Sequence, residues 1–232
     1  MQLKLDHSLR VAADCAEIAR ESGWSQGRIN LAEASGLLHD VGRFRQMRDY
    51  GTFWDNRSVD HAELGFRIIR SAQMLPAFDP HETRCLLAAV RFHNKAQLPE
   101  RLKSDVAGLL RLLRDADKLD ILLVAIETME TPEPDSHPDL VLGISRTRRP
   151  SAELIREVRN NRSAPYNRIK SLADLSLVRL AWVYHMNCPA SLRRVRDRRL
   201  LERLLACTPH AELLRPVFNE AREFVRAQLS RS

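Results

Sequence analysis

The sequence has no uninterrupted apolar run long enough to span a membrane, and its opening stretch, MQLKLDHSLRVAADCAEIA, passes straight into an amphipathic pattern unlike a signal peptide. A cytoplasmic protein with no membrane contact is therefore expected. Cysteine is sparse: Cys15, Cys85, Cys188 and Cys207 stand far apart without a C-x-x-C pair, in segments that read as helical, which predicts reduced core thiols. Runs of alternating apolar and polar residues are missing, so half-buried strands are not expected. Internal repeats and low-complexity tracts are absent too. So are a Gly-rich phosphate loop, a G-x-S-x-G elbow, a Glu-x-x-His pair of the ferritin-like kind and zinc-finger spacing, which sets those chemistries aside.

What is present is apolar residues at helical spacing almost throughout a chain of 232 residues, 44% of them hydrophobic, enough for one substantial core with or without a helical appendage. The spacing predicts an all-α protein with helices over 3–21, 26–40, 59–74, 80–93, 103–129, 151–159, 169–186, 190–206 and 210–229. Gly42, Gly51, Pro76, Pro80 and Pro99 punctuate the first part. The segment 130–150, with Pro132, Pro134 and Pro138, reads as a proline-rich linker between a helical bundle at 1–129 and a helical C-terminal extension at 151–232 packed on it. Acids and bases balance over 1–129, so the whole +7 formal charge belongs to the C-terminal part. A solvated arginine-rich surface accounts for that surplus. Nucleic acid is a lesser alternative, resting on LRRVRDRRLLERLL at 192–205.

The informative residues are polar groups on inward faces. His7 shares a helical face with Leu3, Val11, Cys15 and Ile18, and Asp117 shares one with Leu110, Leu113, Ile121 and Val124. An ionised carboxylate there is costly unless it is paired or bound to a cation. His93 follows Leu86, Ala89 and Val90, while His61 precedes Leu64, Gly65 and Ile68, where Gly65 leaves room for another element or a ligand to come close. A fifth segment ends in Leu37-Leu38-His39-Asp40-Val41-Gly42, with two candidate ligands side by side at a helix terminus. One buried histidine is ordinary; several helices sending imidazoles and carboxylates inward together point to a metal. A mixed imidazole and carboxylate set suits Fe, Mn, Co, Ni or Zn better than Mg or Ca. His81, His137, His185 and His210 are given no metal.

In this order the residues resemble the HD-domain superfamily of metal-dependent phosphohydrolases: His7 in DHSLRVA, His39-Asp40 in GLLHDVGRF and Asp117 in RDADKLDIL, with His61 in VDHAELG and His93 in RFHNK. The resemblance implies an HD-type helical bundle in which His7, His39, Asp40 and Asp117 hold one divalent transition metal. Asp40, His61 and His93 would hold a second, with Asp40 bridging. Asp115 competes with Asp117, and Asn94 stands where some two-metal relatives carry another histidine. The activity implied is hydrolysis of a phosphoester, in a nucleotide, a phosphomonoester or a phosphodiester, by metal-activated hydroxide, on a small phosphorylated substrate. A di-iron oxygenase acting on a small polar substrate and a non-catalytic signalling module are the alternatives. Phosphoryl transfer also calls for cations near the metals; Arg43, Lys95 and Lys118 are the candidates, with Asp60 and Asp120 as acceptors from ligating imidazoles. The loop 42–61 interleaves Arg43, Arg45, Arg48 and Arg57 with Tyr50, Phe53 and Trp54, either to grip a phosphate and stack a base or to pin the loop to the bundle.

Overall fold

A computed structural model describes residues 1–231 apart from 74, 76, 100 and 132–143. Pro76, His137 and the linker prolines 132, 134 and 138 lie outside the described residues. The order is α1 (Gln2–Glu21), α2 (Gln26–Leu38), α3 (Val41–Tyr50), α4 (His61–Ser71), α5 (Pro80–Phe92), α6 (Ser104–Glu130), α7 (Ala152–Asn161), α8 (Leu172–Ala181), α9 (Pro189–Asp197), α10 (Leu200–Ala206) and α11 (Ala211–Leu229). The protein is all-α, with no strand among the described residues, only an isolated bridge between Ser145 and Ser171. It divides into two compact units, Met1–Asp120 and Ile121–Ser232, with the division inside α6.

In the first unit, α1 turns its inward stripe to the core, leaving Val11, Cys15 and Ile18 fully buried. It lies so close to α2 that a Cβ on Gly36 would stand 2.7 Å from the Ala12 Cα. α4 starts on Asp60, whose carboxylate accepts from the backbone of Ala62 and Glu63, and α5 on a capping box of Asp79 and Glu82 followed by Pro80. Such caps fix where each helix begins, and therefore where His61 and His93 end up. The segment expected to be a loop from residue 42 holds α3 instead. This helix buries only Gly42 and Gln46 and stops at Gly51 in the left-handed conformation. A Cβ on Gly42 would fall 2.0 Å from the His61 carbonyl oxygen, so α3 and α4 can meet here only through glycine, and the room left at Gly65 is taken by Gly42.

In the second unit, Leu172 and Leu175 form a small core with Met129, Ile144 and Ile169. The buried Asp174 carboxylate accepts from the backbone of Ser151 and Lys170 at 2.7 and 3.0 Å, tying the start of α7 to α8. The continuous helix expected over 190–206 is broken: Arg199 takes a positive φ of 50° between α9 and α10. The helix expected over 169–186 is shorter, and His185 falls in a 3-10 turn at an exposed position rather than inside an apolar helix. Cys188 and Cys207 sit at helix caps and are half-buried, whereas Cys15 and Cys85 are core thiols. No described helix is long and apolar enough to cross a membrane.

Candidate metal centre

His39 and Asp40 sit at a junction of two helices. His39 closes α2 in helical conformation, and Asp40, at φ −101° and ψ 13°, turns the chain into α3. That single non-helical residue lets neighbouring side chains aim at one region, which two residues inside a regular helix, about 100° apart, could not do. His7 comes from the second turn of α1, His61 from the first position of α4, His93 from the C-terminal cap of α5 and Asp117 from α6. All six are brought together. Of the two candidate carboxylates, Asp117 faces His7 and His39: its Oδ1 lies 3.2 Å from His7 Nε2 and 3.7 Å from His39 Nε2.

The six divide around Asp40. Its Oδ2 lies 3.8 Å from both His7 Nε2 and His39 Nε2, and its Oδ1 lies 3.3 Å from His61 Nε2 and 3.8 Å from His93 Nε2. Within each half the imidazoles are closer still, His7 to His39 at 3.2 Å and His61 to His93 at 3.1 Å, measured between Nε2 atoms.

The opposite ring nitrogens are all committed. His39 Nδ1 donates to the Gly36 carbonyl and His93 Nδ1 to the Val90 carbonyl, both at 2.7 Å. His7 Nδ1 donates to Asp120 at 2.6 Å and His61 Nδ1 to Asp55 at 2.7 Å. With Nδ1 committed, any one of these imidazoles that is neutral turns an Nε2 lone pair towards its neighbour's Nε2, and two lone pairs facing each other repel unless a proton or a cation stands between them. Four-coordinate metals with nitrogen ligands at about 2.0–2.1 Å place neighbouring donors roughly 3.3 Å apart, the spacing found here. Hydrogen-bonded Nδ1 atoms are also how ligating histidines are held. The donor set fits divalent transition metals.

Charges agree with this reading. Burial raises the Asp40 carboxyl, but Lys4, His39, His61 and Arg43 outweigh it and hold the group well below the usual carboxylate range. Asp117 is likewise held ionised against burial by His39 and His7. Burial, with His39 and His61, pushes His93 down to about 3, so its imidazole stays neutral.

The cations around the centre differ in freedom. Arg43 Nη1 is committed to Asp55 at 2.7 Å, Gln46 at 2.8 Å and the Phe53 carbonyl, while its Nε lies 3.6 Å from Asp40 Oδ1. Lys95 pairs with Asp60, the cap of α4. Asp60 thus takes the capping role and Asp55 the role of acceptor from His61; Asp120 takes the expected role towards His7 and is also gripped by Arg10. Lys118 is half-buried, and burial together with Arg114 lowers its pKa. Lys4 was not anticipated: its Nζ reaches Asp40 Oδ2 at 3.1 Å and lies 5.8 Å from the centre of the Phe53 ring. Its spacing of three residues before His7, one helical turn, is the signal that would have found it. Of the loop residues, Arg57 stacks on Trp54 at 4.7 Å, and Arg45 and Arg48 pair with Asp49. Asn94 turns to Asp55 and Asp60, not to the histidines of the second half.

A family model described as HD domain matches residues 5–122. No curated protein and no solved structure matches the chain.

Proposed function

We propose that this chain, which belongs to the HD-domain family, is a metal-dependent phosphohydrolase cleaving a phosphoester in a nucleotide or another small phosphorylated compound. The observation that carries the reading is the division of Asp40, one oxygen towards His7 and His39 and the other towards His61 and His93. A pair of divalent cations bound there supplies Lewis acidity and lowers the pKa of water enough for a nucleophile to exist near neutrality. His7, His39, Asp117 and Asp40 would hold one cation, and His61, His93 and Asp40 the other.

The remaining tasks fall to the chain's own groups. Asp120 and Asp55 accept the Nδ1 protons of His7 and His61, which keeps each Nε2 lone pair turned to the centre. Arg43 stays tied to Asp55 and steadies Asp40 from the Oδ1 side, a positioning role in place of the substrate contact expected from sequence. Lys4 is the substrate cation. Its Nζ stands 3.1 Å from Asp40 Oδ2 at the edge of the centre, where an ammonium would neutralise non-bridging phosphate oxygens of a bound substrate. Lys95 and Lys118 are tied up or recessed, and take no such part in this reading.

The test is to strip the protein with chelator and restore Mn²⁺, Fe²⁺, Co²⁺, Ni²⁺ or Zn²⁺ singly. Phosphate release from a panel of nucleotides and phosphoesters is then followed in air and under nitrogen. Metal-restored release that persists without oxygen supports the proposal. Turnover that stops under nitrogen and liberates no phosphate would transfer the reading to an oxygenase. Protein that binds no transition metal and turns nothing over would leave a signalling module.

A further inference from the structure

A second group of soft and hard donors lies away from the centre, where α5 and α6 begin. His81 and Cys85 are one turn apart on α5 and so share a face; Asp105, in the first turn of α6, meets them from the neighbouring helix. His81 Nε2 lies 2.7 Å from Asp105 Oδ2, Cys85 Sγ lies 3.7 Å from the same oxygen, and Cys85 Sγ lies 3.9 Å from His81 Nδ1. One donor atom from each residue falls within 4.8 Å of the others. The other Asp105 oxygen accepts from the backbone of Val106 at 2.8 Å, which turns Oδ2 towards the pair. His81 was expected to be an ordinary residue at a helix start; only the fold brings it to Asp105.

Two chemistries fit a thiol, an imidazole and a carboxylate in this order. A nucleophilic cysteine needs an exposed thiol with a lowered pKa. Cys85 is 4% exposed, and burial and Asp105 raise its pKa. A metal needs no such activation, because it displaces the thiol proton into solvent as it binds. The sulfur spacings, 3.7 Å to Asp105 Oδ2 and 3.9 Å to His81 Nδ1, are close to the roughly 3.6 Å separation set by metal–sulfur bonds near 2.3 Å and metal–nitrogen or metal–oxygen bonds near 2.0–2.2 Å, whereas the 2.7 Å contact of His81 Nε2 with Asp105 is a hydrogen bond that a bound cation would replace.

We infer that His81, Cys85 and Asp105 form a separate site for a zinc-like divalent cation, with three protein ligands, and that the bound ion clips the start of α5 to the start of α6. The site is distinct from the main centre. Twelve residues of helix at 1.5 Å each separate His81 from His93, about 18 Å. It nevertheless joins the two helices whose further turns carry His93 and Asp117, so its loading would stiffen the frame of the main centre.

Titration of the full chain with Co²⁺ tests this. The main centre offers only nitrogen and oxygen donors, so a near-ultraviolet thiolate-to-cobalt absorption band reports the new site alone. We expect the band in the native chain and in Asp40→Ala, and none in Cys85→Ser. Losing a ligand costs at least what losing an outer hydrogen-bond partner does, so His81→Ala should shift the midpoint by about tenfold or more. His81 is half-exposed, so this variant keeps the test valid should Cys85→Ser lose helicity. A folded native chain with no band at saturating Co²⁺, or a band undiminished in Cys85→Ser or His81→Ala, would overturn the inference.

Discussion

The two halves of the centre are built alike but not equally. In each, one histidine closes a helix and donates to the carbonyl three residues back, His39 to Gly36 and His93 to Val90. In each, the other donates to a carboxylate held by an arginine, His7 to Asp120 beside Arg10 and His61 to Asp55 beside Arg43. The difference is charge. The first half has Asp117 in addition to its share of Asp40, while the second has only its share, because Asn94 is turned to Asp55 and Asp60. A cation held by the first half would meet two carboxylates and one held by the second a single shared carboxylate, so the first should bind more tightly and be lost last on dialysis.

The largest effect is expected where the halves join. Asp40→Ala should abolish both metals and reduce turnover to background, checked by elemental analysis and phosphate release. One metal retained at full occupancy would mean that Asp40 does not link the halves. The next substitutions separate them. Asp117→Ala should remove the metal of the first half, and His61→Ala that of the second while leaving one tightly held ion. Residual binding that is tighter in Asp117→Ala than in His61→Ala would reverse the proposed ranking.

The halves also part company in their response to pH when metal is removed. Burial lowers the pKa of His7, but Asp117 and Asp120 outweigh it and hold the group at about 9. Because this pKa is raised in the folded state, its stabilisation, roughly 3 kcal/mol, is complete below about 6.5 and is lost as pH rises through 9. His93 behaves oppositely. With its pKa pushed down to about 3, the unfolded chain takes up a proton the folded one refuses, so stability falls as pH drops from 6.5. Urea unfolding of the chelated protein should therefore show greatest stability near pH 6.5, and bound metal should flatten both limbs. Stability that climbs steadily between pH 6.5 and 9 would remove His7 from its assigned environment.

Much of this centre could be read from the sequence because an inward-facing histidine or carboxylate disturbs an otherwise apolar stripe. His7, His61, His93 and Asp117 all gave that signal, and Gly42 marked the terminus at His39-Asp40. The parts that could not be read lack such a stripe. α3 buries only a glycine and a glutamine, and with Arg43, Arg45, Arg48 and Asp49 crowded into it VGRFRQMRDY reads as a polar loop. The break at Arg199 is silent for the opposite reason: Leu192, Val195, Leu200, Leu201 and Leu204 are buried on both sides of it, and the apolar pattern runs through. Asp55 was passed over for Asp60, which stands beside His61 in sequence but is committed to capping α4; only the path of the chain after α3 brings Asp55 to the His61 ring.

Smaller effects should come from the carboxylates behind the ligands. Asp55→Asn should weaken the metal of the second half by about 10- to 100-fold, and Asp120→Asn that of the first by a similar factor, each leaving the other half nearly unchanged. Isothermal titration after chelation reads both. If either substitution weakened the two metals equally, the halves would be coupled through more than Asp40.

The smallest effect expected concerns the cations, which also differ between the halves. Arg43 approaches Asp40 from the Oδ1 side and is pinned by Asp55, Gln46 and the Phe53 carbonyl. Lys4 approaches from the Oδ2 side, and its one polar partner among the described contacts is that oxygen. Lys4→Ala should therefore leave metal content unchanged and raise KM by about tenfold, the order expected for one charge-assisted contact to a phosphate oxygen. Inorganic phosphate should compete less well against this variant, and Lys4→Arg should recover most of the loss. Arg43→Ala should instead reduce kcat and loosen the second metal, since it frees Asp55 and Asp40 together. A Lys4→Ala variant that loses metal while its KM holds would make Lys4 a support for Asp40 and leave the substrate cation unassigned.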